Sequence, residues 1–128
     1  MVILCPACWS ETEATIVVCR NCGATVDLYS AAYERQLAAE LDHCDVKRRE
    51  KICWTLGYRG RRSAIPVLVE LIHDPDLLVC EAAVRSLGEI GDPSAADAVK
   101  QIVTSENDSL RSAARYVLRT LLGSTAEL

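Results

Sequence analysis

No apolar run in this chain of 128 residues approaches the roughly 20 needed to cross a bilayer, which excludes a membrane-spanning helix. Nor does the N-terminus carry a charged region followed by a long apolar stretch, so export is not expected. An excess of positive charge is also missing. The 14 basic residues stand against 18 acidic ones, for a net charge of −4, which argues against a general polyanion binder and leaves only local patches. The arrangements of an enzyme are absent too: no serine sits in a nucleophile elbow, no phosphate-binding loop occurs, and the carboxylates are scattered over helix faces. Seven cysteines are present, but an odd number without an export segment does not suit a disulfide framework. The expectation is a soluble, cytoplasmic protein with one small stapled unit and one domain of about 100 residues.

Four of the cysteines are paired, CPAC at 5–8 and CRNC at 19–22. A CxxC turn points two sulfurs at one spot. Two such turns facing each other supply the four soft ligands that a tetrahedral zinc ion takes, so Cys5, Cys8, Cys19 and Cys22 are the expected metal ligands. β-Formers at Thr15 to Val18 and the alternation TVDL at 25–28 predict strands beside the turns, and Gly23 suits the second turn. The segment CPAC…CRNCG resembles a zinc ribbon over roughly the first 28 residues, with Trp9 where such ribbons often carry glycine. So small a unit has too little core to fold unaided, and structural zinc contributes on the order of 10 kcal/mol or more to such peptides. An iron or iron–sulfur site on the same thiolates and a redox dithiol are the alternatives. A thioredoxin-type dithiol needs one CxxC inside a βαβ context, which is missing.

From Ser30 onward the chain repeats itself at an offset of 31: TLGYRGRRSAIPVLVELI at 55–72 falls on SLGEIGDPSAADAVKQIV at 86–103, and VCEAAVRSL at 79–87 on LRSAARYVL at 110–118. Ala64, Val67, Leu68, Leu71 and Ile72 keep helical spacing, and Ala95, Ala98, Val99, Ile102 and Val103 reproduce it. Helices are predicted near 30–42, 46–57, 63–73, 77–88, 93–104 and 109–122. Gly57, Gly88 and Gly91 are read as stops, and Asp45, Ser63, Asp76 and Asp108 as N-caps. The phrases HDPDLLVCEAAVRSLGEIGDPSAADAVKQI and NDSLRSAARYVLRTL resemble HEAT-like repeats of the short kind found in phycobilisome lyases, over about residues 45–122. The resemblance implies a mainly α protein: a short right-handed α-solenoid of about two and a half helix pairs over 30–128, with the β zinc ribbon over 1–29 closing its N-terminal end. It also implies that the second helix of each pair lines the concave side, which nominates Glu70, His73, Lys100, Gln101 and Thr104 as protein contacts. Val117, Leu118, Leu121 and Leu122 lie on a last helix without a successor, where they either pack back on 93–104 or meet a partner or second copy.

Half of the basic residues fall between 47 and 62, giving seven cations against Asp45 and Glu50. Arg48, Arg49, Arg59, Arg61 and Arg62 form a candidate patch for phosphate, nucleic acid or an acidic protein surface, with pairing to nearby carboxylates as the alternative. Core packing is the expectation for Trp54, Cys53 and Cys80, and an interface, within the chain or with a partner, for Trp9. His43 and His73 are read as loop residues rather than a second metal site. The leading reading is a non-catalytic protein–protein adaptor, accessory subunit or assembly factor. A nucleic-acid-binding module comes second, and a lyase or chaperone related to the bilin lyases third.

Overall fold

The computed structural model describes residues 2–13, 18–27, 30–42 and 44–123. The predicted strand residues Thr15 to Val17 and Leu28, and the loop residue His43, lie outside them. Strands β1 (Val2–Leu4) and β2 (Glu11–Glu13) pair antiparallel around the first CxxC turn, with Ile3 opposite Thr12 and Leu4 opposite Glu11. A single bridge between Val18 and Thr25 flanks the second.

The helices are α1 (Ala31–Glu40), α2 (Val46–Arg59), α3 (Ile65–Leu71), α4 (Leu77–Ile90), α5 (Ala96–Lys100) and α6 (Asp108–Leu122). Asp45 and Asp76 cap α2 and α4 as read from the sequence, accepting from Arg48 N and Leu78 N. Two other caps differ. Asn107, not Asp108, caps α6, and Ser63 lies inside a 3-10 turn (Arg62–Ala64) that leads into α3. A matching turn (Pro93–Ala95) leads into α5. Residues 101–104 continue α5 only as turns, with bonds from Gln101 N to Ala98 O and Ile102 N to Val99 O, so the helix expected to reach 104 ends at Lys100.

Packing fixes the pairing. Helix α4 lies between α2 and α6, while α3 packs on α4 and α5 on α6. One layer is therefore α2–α4–α6, and each pair runs from a short helix into the long one that follows it. Helix α1 keeps the register of α3 and α5: Tyr33, Ala64 and Ala95 sit 31 residues apart and are all buried, as are Leu37, Leu68 and Val99. Among the described residues the register thus gives three short-then-long helix pairs, where about two and a half repeats were expected, because α1 stands where α3 and α5 stand in the later ones. The residues expected to line a concave side, Glu70, His73, Lys100, Gln101 and Thr104, lie on the α3–α5 layer and its turns and are exposed.

Gly57 and Gly88, read as stops, sit within helices where neighbours cross closely. A Cβ at Gly57 would meet Ser86, and one at Gly88 would meet Val117. The helix ends fall three residues later, at Gly60 (φ +67°) and Gly91 (φ +74°), where the left-handed backbone favours glycine. Strand β1 packs against α2 as well. Ile3, Leu4, Cys5, Cys19 and Val26 are continuous with the helical core. Among the described residues no helix is long and apolar enough to cross a membrane.

Candidate metal centre and open helical face

Both CxxC turns fold the same way. Trp9 N donates to Cys5 O at 2.8 Å and Cys5 N to Ser10 O at 2.9 Å; fourteen residues on, Gly23 N donates to Cys19 O and Cys19 N to Ala24 O, each at 2.8 Å. This places Trp9 (φ +61°) in the left-handed station that Gly23 (φ +77°) fills in the second turn. A bulky residue there costs on the order of 1 kcal/mol. Trp9 is partly buried against the core, and the guanidinium of Arg48 stands 5.6 Å from its ring centroid.

The turns bring the Sγ atoms of Cys5, Cys8, Cys19 and Cys22 within 4.8 Å of one another. Cys5 Sγ lies 3.7 Å from Cys22 Sγ, and Cys8 Sγ lies 3.8 Å from Cys19 Sγ. Four thiolates about 2.3 Å from a tetrahedral ion are separated by about 3.8 Å, so these four cysteines fit a metal ion. The charges agree with the geometry. Asn21 Nδ2 at 3.4 Å and the Ser10 hydroxyl at 3.0 Å draw the Cys8 thiol down to about 5, and backbone N–H groups led by that of Cys22 lower Cys19. Although the Ala24 N–H favours its thiolate, desolvation and the three neighbouring sulfurs push Cys22 up to about 12. Crowded thiols cannot all ionise without a cation to share, which is what a four-thiolate metal centre requires. With four sulfurs on one ion no coordination position stays open for a substrate, so the arrangement suits a structural role. The other three cysteines differ: burial first of all raises the thiols of Cys44, Cys53 and Cys80, with Cys53 at about 12. Cys53 and Cys80 are buried in the core, and Cys80 Sγ donates to Asp74 O at 2.8 Å.

Four of the five arginines of the basic segment are paired with carboxylates of the chain itself. Arg48 pairs with Glu40 at 2.7 Å and Arg62 with Asp92, while Arg49 forks onto Asp74 at 3.0 and 3.3 Å and reaches Cys44 O at 3.1 Å. Arg59, whose side chain is fully buried, binds Glu34 at 2.6 Å and Ser30 O at 3.0 Å, with the Tyr33 ring beside it. Arg61 is exposed before the 3-10 turn. These pairs join α1 to α2 and α2 to the loop before α4, an architectural use that a count of charges along the chain could not show.

Trp54 was expected in the core; instead it is 44% exposed. It stands on α2 beside the residues of α4. Between α2 and α4 a shallow groove of about 160 Å³ is lined by Glu50, Trp54, Leu78, Glu81, Ala82 and Arg85. Between α4 and α6 a larger one of about 600 Å³ includes Arg85, Glu89, Ser112 and Tyr116. No residue of α3 or α5 enters either groove. The sequence did hold a signal for this face: Trp54, Arg85 and Tyr116 are 31 residues apart. At the end of α6, Val117, Leu118 and Leu121 are buried in the chain's own core, which corrects Leu121 as an interface residue, whereas Leu122 is 40% exposed.

Stacked helix pairs related by a 31-residue register define an α-helical repeat protein. The family model for HEAT repeats matches residues 34–119, and the chain belongs to the HEAT-repeat family. No curated protein matches the chain in sequence. Among solved structures, human deoxyhypusine hydroxylase in complex with glycerol is similar, with a TM-score of 0.68 and 22% identity over 73% of this chain and 33% of that one. This chain thus spans about a third of that enzyme's length, and at such identity the likeness is one of fold.

Proposed function

We propose that the chain is a non-catalytic protein–protein adaptor, an accessory subunit or assembly factor acting in the cytoplasm. In this reading residues 1–29 are a structural zinc ribbon, and they close one end of a right-handed α-solenoid over residues 30–128. The observation that carries it is the set of large side chains, Trp54, Tyr58, Leu78 and Tyr116, left exposed along α2, α4 and α6. The spacing of the four sulfurs supports zinc as a structural member, and the packing of β1 on α2 supports the ribbon as an end cap. A nucleic-acid role has less support, since Arg48, Arg49, Arg59 and Arg62 are each committed to a carboxylate.

Affinity purification from the native cell after nuclease treatment, read by mass spectrometry, tests the reading. A protein partner retained at raised ionic strength is expected, because phosphate contacts lose affinity steeply with salt and a largely apolar interface does not. Recovery of nucleic acid alone, lost with salt, would overturn it. Elemental analysis is expected to give one tightly held zinc per chain, and iron in its place would replace zinc as the structural ion.

A further inference from the structure

The register that builds the core also builds the open face. Residues 31 apart form three rows across α2, α4 and α6: Glu50, Glu81 and Ser112; Trp54, Arg85 and Tyr116; Tyr58, Glu89 and Thr120. The aromatic members are exposed, Tyr116 to 72%, and every member of the rows but Tyr58 lines one of the two grooves. Their charge is lopsided. Arg85 is the one cation lining either groove among the described residues, and Glu81 already holds it at 2.8 and 3.1 Å. No ion pair or side-chain hydrogen bond holds the carboxylate of Glu50 or Glu89 among the described residues. Each groove therefore presents an aromatic ring and an uncommitted carboxylate, Trp54 with Glu50 in one and Tyr116 with Glu89 in the other. A ring face and a carboxylate together complement a cationic side chain, and both repel phosphate.

We propose that this face is the docking surface for a basic peptide segment of a partner protein, whose lysine or arginine side chains seat beside Glu50 and Glu89 against the rings of Trp54 and Tyr116. The proposal rests on the adaptor reading and adds the chemistry of what is bound. One cation enters each groove, so the segment crosses α4 and spans the stack from α2 to α6. The arginine-bearing far edge of α6, with Arg115 and Arg119, sets a limit to it on that side.

The test uses the full metal-loaded chain and matched peptide libraries of equal length: one rich in lysine and arginine, one neutral, one acidic. Basic peptides are expected to bind preferentially, with affinity falling about tenfold or more in Glu50→Gln/Glu89→Gln and again in Trp54→Ala/Tyr116→Ala. All four positions are solvent-accessible, and circular dichroism of each variant verifies an unchanged helix content. Equal binding of neutral or acidic peptides would overturn the proposal, as would single-stranded RNA competing for this face. In the native purification, a protein partner retained equally by wild type and Glu50→Lys/Glu89→Lys leaves the adaptor reading standing and removes this face from it. Absence of any protein partner from both removes the two together.

Discussion

A methyl group added at Gly57 would lie 2.8 Å from Ser86 Cβ and 2.9 Å from Ser86 Cα, whereas at Gly88 its nearest neighbours would be the methyls and Cβ of Val117, the first at 3.0 Å. Main chain cannot turn aside as a valine side chain can. Alanine gains about 1 kcal/mol over glycine inside a helix, and overpacking costs about 1–3 kcal/mol. The clash wins at Gly57, so Gly57→Ala is expected to lose about 1–2 kcal/mol in urea unfolding, while at Gly88 the two effects nearly cancel, to within about 0.5 kcal/mol. Ser86→Ala should not rescue Gly57→Ala, because the offending Cα and Cβ remain. If Gly57→Ala proved more stable than wild type, α2 and α4 would be free to separate and their close crossing would be wrong. These glycines were legible as glycines, but not as contacts: a helix stop and a helix crossing use the same residue, and only the neighbour opposite tells them apart.

Helix α1 meets α2 through long polar side chains, with Glu40 taking Arg48 and Glu34 taking Arg59. Arg59 holds the station filled by Ile90 on α4 and Leu121 on α6, so one cation replaces the apolar plug used in the other pairs. Breaking a buried pair from one side leaves a stranded charge, at about 3–5 kcal/mol. Glu34 is 14% exposed at its side chain and keeps the Ser63 hydroxyl at 2.8 Å, which places Arg59→Leu near the low end, about 3 kcal/mol. Arg59→Leu/Glu34→Leu is expected to recover more than half of that loss, a coupling that a double-mutant cycle in urea would read. Additive losses would mean that the pair is not coupled. The helices themselves could be read from periodicity and caps, since those signals are local. The fate of the basic segment could not, since Glu34 and Asp74 each lie 25 residues from the arginine they hold. Trp54 was misplaced for a related reason: one helix face looks apolar whether or not another element covers it.

The two ends of the stack carry side chains unlike those between the pairs. At the first end the cysteine unit is tied to the helices by Tyr33 Oη donating to Leu4 O at 2.5 Å, by Lys51 on Glu11 at 2.7 Å, and by Arg48 against Trp9. Treating the chain with a chelator to empty the proposed metal centre is therefore expected to raise amide exchange across residues 2–13 and 18–27, α1 and the start of α2, while α4 and α6 stay protected; uniform exchange throughout would show that the cysteine unit supports the whole chain equally. At the other end, α6 carries Arg115 and Arg119 where α4 carries Val84 and Gly88. A further long helix could not approach α6 by the glycine contact that joins α4 to it, and a polar outer edge is what keeps repeat stacks from associating. Arg115→Val/Arg119→Ala makes that edge small and apolar, and alanine avoids the helix penalty of glycine, about 1 kcal/mol. The expected result is association that grows with protein concentration in sedimentation experiments at unchanged helix content. If the variant sediments as the wild type does at every concentration, the two arginines do not guard the edge, and the separation of one stack from the next must come from another part of α6.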